Sequence, residues 1–528
     1  MTTPVEVDYV VVGSGSAGAV VAARLSEDLS TTVAILEAGP EDTNQFIHIP
    51  AAFSKLYRTD VDWDYSTTPQ PQLGGRQIYW PRGKTLGGCS SMNAMMWVRG
   101  YAADYDEWST HAGHDWSFQK VLPYFQRIEN VQNGRSPGDG KSGPIVVSEQ
   151  RSPRALTGDF LTAVQECGFK IERANTPHPS GFSQTMVTQK RGARWSTADA
   201  YLRPAAKRSN LTVLTNAYAT SVTFDGTRAQ GVAFARDGQL THIRARREVI
   251  LCGGAINTPH LLMLSGIGSA QHLVEHGIAV VHDAPEVGQN LQDHLVAGIV
   301  YSVEKGSLLS AESPPELVNY LVRRRGMLTS PVAEAYGFVH SRAGLEHADI
   351  ELLFGPGPFI REGLVQPDGH GAVLGSVLLK PKSSGDITLV TPDPFDKPRI
   401  DPKYLSDPGG VDRAAMIAGL RTCTELAASP ALARHFGDYL QPPAPADAPV
   451  DELIEICLEQ YAHTLYHPVG TCRMGMDKNS VVDPQLRVRG VSGLRVADAS
   501  VMPTIIRGHT HAPSVLIGEK AADYIKSH

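Results

Sequence analysis

One run near the start of the chain, Asp8–Gly39, limits what the rest can fold into. Tyr9-Val10-Val11-Val12 is a short apolar, β-branched stretch of the kind buried on both faces of a parallel sheet. It leads into Gly13-Ser14-Gly15-Ser16-Ala17-Gly18, a G-x-G-x-x-G turn, then into Ala19–Leu29 of helical composition and a second apolar run, Thr32–Leu36. Glu37 closes the unit, about 20 residues beyond the last glycine. Each part suits a dinucleotide. Gly13 permits the tight turn, Gly15 lets backbone approach a pyrophosphate, and Gly18 lets helix pack on strand. The helix N-terminus presents free N–H groups and a positive dipole end, with Ser14 and Ser16 beside it. A carboxylate at Glu37, next to Ala38, accepts hydrogen bonds from a ribose diol and disfavours a 2′-phosphate, so NADP is not expected. The choice between FAD and NAD stays open on these residues.

The chain has 528 residues, 42% hydrophobic and 20% charged, which fits two or more globular domains with a large core. A net charge of −7 gives no electrostatic reason to expect nucleic acid or an anionic membrane as partner. The first strand starts within ten residues of Met1, so no signal peptide is expected, and no apolar run is long enough to span a bilayer. The six cysteines form no C-x-x-C and read as reduced thiols of a cytoplasmic protein.

Residues 40–80 form a long irregular connection, a length that calls for a function. It leads into Arg82–Asn93, where glycines and small polar residues can bring backbone close to a ligand. Residues 105–128 read as helix and 144–148 as strand, while 151–189 is less patterned and suggests another domain. Residues 211–251 read as a meander of Leu211–Leu214, Ser221–Phe224 and Gly231–Phe234 with Asp-Gly turns, followed by a separate buried strand, Arg247–Leu251. Residues 301–440 alternate strands and helices without a catalytic pattern. Gln441–Pro449, with four prolines, reads as an exposed loop. Asp451 opens a helix that the spacing carries toward Pro468.

Two late stretches place histidines beside Gly or Pro: Tyr466-His467-Pro468-Val469-Gly470 and Arg507-Gly508-His509-Thr510-His511-Ala512-Pro513. Histidine is the usual general base near neutral pH. A metal is disfavoured, because His463 and His467 lack the acid that H-E-x-x-H supplies.

At these motifs the chain resembles the glucose–methanol–choline oxidoreductases, flavoproteins that oxidise alcohols. The resemblance rests on the N-terminal unit, Gly83–Asn93, Gly254–Gly268, Val287–His294, His467–Thr471 and Gly493–Pro503. It implies an α/β fold: a Rossmann-type FAD-binding domain with a discontinuous α+β substrate-binding domain. The expected parts are 1–150, 190–300 and 462–528 for FAD and 151–189 and 301–461 for substrate. The resemblance further implies that Gly13, Ser14, Gly15, Ser16, Gly18, Glu37 and Ala38 hold the ADP half and that Val222 meets the adenine through its main chain. Gly83, Gly88, Asn93 and Ala94 would lie along the flavin, Asp498 and Ala499 would meet the pyrophosphate and ribityl, and His511 would sit near the pyrimidine. His467 matches the active-site histidine and His509 its partner.

Two departures sharpen the expectation. Met92 stands where some members carry the histidine that bonds FAD covalently, so FAD is expected to be non-covalent. Val296 stands where choline-oxidising relatives carry a glutamate, so the expected substrate is a neutral primary alcohol oxidised by hydride transfer to flavin N5. Oxygen or another acceptor would reoxidise the flavin, and a homo-oligomer is compatible with the family. The rival readings are a non-redox, hydroxynitrile-lyase-like enzyme on the same fold and a choline dehydrogenase.

Overall fold

The computed structural model describes residues 5–132 and 136–527. Its first sheet grows from the N-terminal unit. The Glu6–Val12 strand is buried at every position but its first, as expected of a strand with neighbours on both edges and layers on both faces. It pairs in parallel with Val33–Leu36 on one side and with Gln239–Leu251 on the other. The helix between the first two strands is Gly18–Leu25 and stops short of the expected Leu29; Asp28 accepts from the Ser30 N–H in a local turn instead. Gly18 has no alternative: a Cβ there would lie 1.9 Å from the Gly13 carbonyl oxygen.

The expected meander needs two corrections. Leu211–Leu214 is not part of it but extends the parallel sheet beyond Val33–Leu36. Arg247–Leu251 is not a separate strand but the end of the 13-residue Gln239–Leu251 strand. That strand pairs antiparallel with Arg228–Arg236 early and parallel with Glu6–Val12 later. The short Leu494–Val496 strand from the far end of the chain also joins it. Residues 105–128 form two helices, Ala102–Ala112 and Phe118–Ile128, because Gly113 at φ +85° breaks the run.

The second sheet is antiparallel, with Leu295–Val303, Gly371–Leu378, Ile350–Gly355 and Ala335–Val339 at its centre. Period-two alternation gives it two jobs. Leu295, Ala297, Ile299, Ile350, Leu352, Phe354, Ala372 and Leu374 pack under the helices Ala155–Glu166, Val411–Ala427 and Val450–Tyr461. Val296, Gly298, Leu353, Gly355, Val373 and Gly375 point the other way, into a cavity facing the first sheet. The strands cross the expected domain boundaries: Leu295–Val303 and His463–Thr464 both belong to this second sheet. The Val450–Tyr461 helix ends before His463, so His463 and His467 do not share a helix. Gln441 is buried at the end of the Phe436–Gln441 strand and lines the cavity, so the proline-rich stretch begins inside rather than on the surface.

Candidate functional site

Two adjoining cavities lie between the sheets. The first, about 1160 Å³, opens at the C-terminal ends of the parallel strands, where open α/β sheets place their ligands. Gly13, Gly15, Ser16, Glu37, Ala38, Gly83, Gly88, Asp498 and Ala499 line it. Ser14 lies beneath and fixes the acid: its N–H and hydroxyl both donate to Glu37 Oε2, while the Gly39 N–H donates to Oε1. Burial pushes the Glu37 carboxyl above its ordinary range, and these donors oppose that. Gly15 and Gly88 bring two backbone segments together, since a Cβ on Gly88 would sit 2.7 Å from Gly15 Cα.

Two expected cofactor residues also make hydrogen bonds within the protein. The Val222 N–H donates to Ser265 Oγ at 2.8 Å, and the wall nearby is formed by Ala217, Tyr218 and Ala219. The Asp498 carboxylate accepts from the Gly254 N–H, the Thr258 hydroxyl and the Ser500 N–H. It caps the Gly254–Leu264 helix and leaves only the rest of the residue to face the cleft.

The second cavity, about 1450 Å³, shares Ser16, Arg82, Cys89, Ala499 and Ser514 with the first. Met92, Asn93, Ala94, His463, His467, His509 and His511 line it, with Phe53, Tyr57, Leu353 and Leu465 among its apolar walls. Asn93 is held by Arg194, whose Nη1 donates to its Oδ1 at 2.8 Å. His511 Nδ1 lies 2.8 Å from Ser16 Oγ, and its ring meets Trp97 edge-on. Burial and the Arg194 charge pull His511 down to about 4, so it is neutral at pH 7.

A chain of hydrogen bonds fixes the proton on His467. His294 Nε2 faces two backbone carbonyls, Leu379 and Ile506, each at 3.1 Å. Carbonyls only accept, so His294 carries its proton at Nε2. Burial, reinforced by the nearby His509, pulls His294 down to about 3. A neutral His294 therefore offers a lone pair at Nδ1, 3.0 Å from His467 Nδ1. His467 donates from Nδ1, which leaves a lone pair at its Nε2. Burial, then the neighbouring His509 and His294, hold His467 well below the ordinary imidazole range. Asp293 sets the backbone: its Oδ1 accepts from the His467 N–H at 2.8 Å, and its Oδ2 from the Thr464 and Tyr404 hydroxyls. On the other side His509 packs against His467 with ring centroids 4.8 Å apart, and its Nε2 meets the fully buried Glu351 at 3.1 Å. Among the described residues no group of three or more His, Cys, Asp or Glu is placed to hold a metal.

GMC oxidoreductase profiles match residues 7–296 and 381–518. The chain belongs to the GMC oxidoreductase family. An uncharacterised GMC-type oxidoreductase of Mycobacterium tuberculosis is 61% identical over 98% of this chain and 99% of its own length. An alcohol dehydrogenase [acceptor] of Pseudomonas putida is 42% identical over 98% of this chain and 95% of its own. An oxygen-dependent choline dehydrogenase of Brucella canis is 40% identical over the same shares. Among solved structures, pyridoxine 4-oxidase from Mesorbium loti superposes with a TM-score of 0.89 at 30% identity, covering 99% of each chain. Formate oxidase from Aspergillus oryzae superposes with a TM-score of 0.92 at 28% identity, covering 100% of this chain and 99% of the other. This GMC protein is a FAD-dependent oxidoreductase acting on CH–OH groups.

The two joined cavities fit an elongated, bipartite cofactor. Gly13–Gly18 and Glu37 would hold its ADP part, Gly88 lines the same first cavity, and Asn93 and Ala94 border the second beside the histidines. Met92 is buried against that cavity and offers no nucleophilic nitrogen. Acid precipitation is therefore expected to leave the yellow colour in the supernatant; colour retained in the pellet would show a covalent bond.

Three further residues shape this site. Asp293 and His294 sit in a stretch that the sequence reading used only as a family marker. Glu351 is a charged residue at an inward position of an otherwise apolar alternating strand, Ile350–Gly355. A buried carboxylate in such a strand requires a partner, and that is the signal it offers.

Proposed function

We propose that this protein oxidises a neutral primary alcohol to the aldehyde, with oxygen or another acceptor reoxidising the flavin. The observation that carries the reading is the lone pair left on His467 Nε2 inside an apolar cavity. His467 would accept the hydroxyl proton, so that the developing alkoxide can expel hydride from the carbinol carbon. Bound FAD supplies the two-electron acceptor for that hydride. A positioned base contributes about 10²–10⁴-fold to such a step. His509, held by Glu351, would orient the same oxygen.

The cavity lining supports an uncharged substrate. Among the described residues it contains no Asp or Glu, and Val296 forms part of its floor. Glu351 lies behind His509 and is engaged by it. A quaternary ammonium would enter without a carboxylate to balance it. Gly298 pairs in register with Gly375, and Gly355 lies on the adjoining strand, so the sheet presents glycines among Val296, Leu353 and Val373, an apolar wall for an apolar tail. Anaerobic mixing with a panel of aliphatic and benzylic primary alcohols and choline tests the reading. Flavin bleaching with neutral alcohols is expected, at higher kcat/KM than with choline. No bleaching with any alcohol would favour non-redox chemistry, and a choline value above every neutral alcohol would overturn the substrate class. Admission of air after reduction then separates oxygen from another acceptor.

A further inference from the structure

The Pro314–Arg323 helix buries a single residue, Tyr320. Leu317, Val318, Leu321 and Val322 form one stripe on its outer face, and the last two are 68% and 76% exposed. Single exposed apolar side chains are ordinary, but four on one short helix are not. Arg323, Arg324 and Arg325 follow immediately and are all exposed. The Ile360–Gly363 turn rests on Ser54, and the exposed Leu364 and Val365 follow it. Helix and turn thus both touch one stretch, residues 48–56, which the helix side reaches through the Tyr320 hydroxyl on the His48 carbonyl and through packing of Met327 and Leu328 around Ile49 and Ala51. That same segment supplies Phe53, and Tyr57 just after it, to the wall of the histidine-lined cavity.

We infer that this face docks on an anionic lipid bilayer, with the apolar stripe entering the interface and the three arginines meeting lipid phosphates. An amphipathic helix of branched apolar residues with basic residues beside it has the chemistry of an in-plane membrane contact. The chain's net charge of −7 averages over the whole surface and does not describe this cluster. A second copy fits less well. A two-fold contact would bring two arginine triplets into one interface, and among the described residues only Glu316 and Glu362 of the patch's acids have no ion pair to set against each triplet. Glu312 pairs with Lys55, and Glu316 accepts from the Met327 N–H. Docking here would set the membrane beside the segment that walls the substrate cavity.

The test is co-sedimentation of the FAD-loaded protein with phosphatidylcholine vesicles, with and without phosphatidylglycerol, alongside sedimentation velocity without lipid. Partitioning is expected to be roughly tenfold greater onto the anionic vesicles and to fall with salt. Leu321→Ser/Val322→Ser and Arg323→Glu/Arg325→Glu should each reduce it roughly tenfold. Both double variants should keep the wild-type kcat with a soluble acceptor, which reports intact folding. Failure to bind anionic vesicles, equal binding to both vesicle types, or binding retained by both double variants overturns the proposal. So does a concentration-dependent dimer that Leu321→Ser/Val322→Ser abolishes. Binding is read without turnover, so its failure is separate from any failure of the alcohol-oxidase reading.

Discussion

His467→Ala is expected to slow anaerobic flavin reduction at saturating alcohol by about 10²-fold or more, equivalent to about 2.7 kcal/mol of barrier. The loss should appear in kcat as well as kcat/KM, because the hydrogen bond from the alcohol strengthens as the alkoxide develops. Flavin content should be nearly unchanged, since the His467 backbone, not its ring, is what Asp293 holds. His509→Asn should be milder, because an amide can still donate toward Glu351 or the alcohol oxygen. His463 does not serve as a distant control: it lies on a strand that pairs with Val296 and faces the cavity. His370, bound to Ser307 outside that lining, does. A His467→Ala enzyme that reduces at nearly the wild-type rate, or a His370→Ala enzyme equally impaired, would remove His467 from the role of base.

The acidic limb of the wild-type profile provides a second reading of the same group. The active form of His467 is neutral, and its environment depresses its ionisation below the ordinary value of about 6.5. The fraction able to accept a proton is therefore full at neutral pH, and the rate should fall only at pH below that value. Stability moves the same way. A histidine whose folded-state ionisation is depressed contributes stability present above the unfolded value, which is lost as pH falls toward the folded one.

The first sheet was legible from sequence because its signals are local: the β-branched run, the three glycines and Glu37 lie within one contiguous stretch. What the sequence hid is pairing between distant segments. Leu211–Leu214 has the same composition whether it sits in a meander or beside Val33–Leu36, and only the fold decides which edge is free. The end of the Val450–Tyr461 helix was missed because no proline or glycine marks it; Ala462 simply turns extended. The histidine pair was legible as a motif. Its proton positions were not, because the carbonyls that fix them belong to Leu379 and Ile506, 85 and 212 residues beyond His294. Glu351 met the same limit, since its partner His509 is on another sheet's connection and no spacing rule joins them.

That dependence on His294 leads to the second large effect expected. His294→Phe keeps a flat ring of similar size in a fully buried site but removes the acceptor for the His467 Nδ1–H. The phenyl ring also leaves the Leu379 and Ile506 carbonyls without their shared donor, at about 1–3 kcal/mol of stability for buried groups left unpaired. With Nδ1 unpartnered, His467 can shift its proton to Nε2, the tautomer that cannot accept from an alcohol. Flavin reduction should slow by roughly 10–100-fold, the range in which the partners that orient a site's ligands act, while KM changes little because the ring does not line the cavity. The diagnostic readout is nitrogen-resolved NMR of the imidazoles. Wild-type His467 should be protonated at Nδ1, and the variant should populate the Nε2 tautomer. A merely structural role for His294 would lower melting temperature yet leave both the tautomer and the rate of reduction of the folded fraction where they were, and that combination would break the link between His294 and the base.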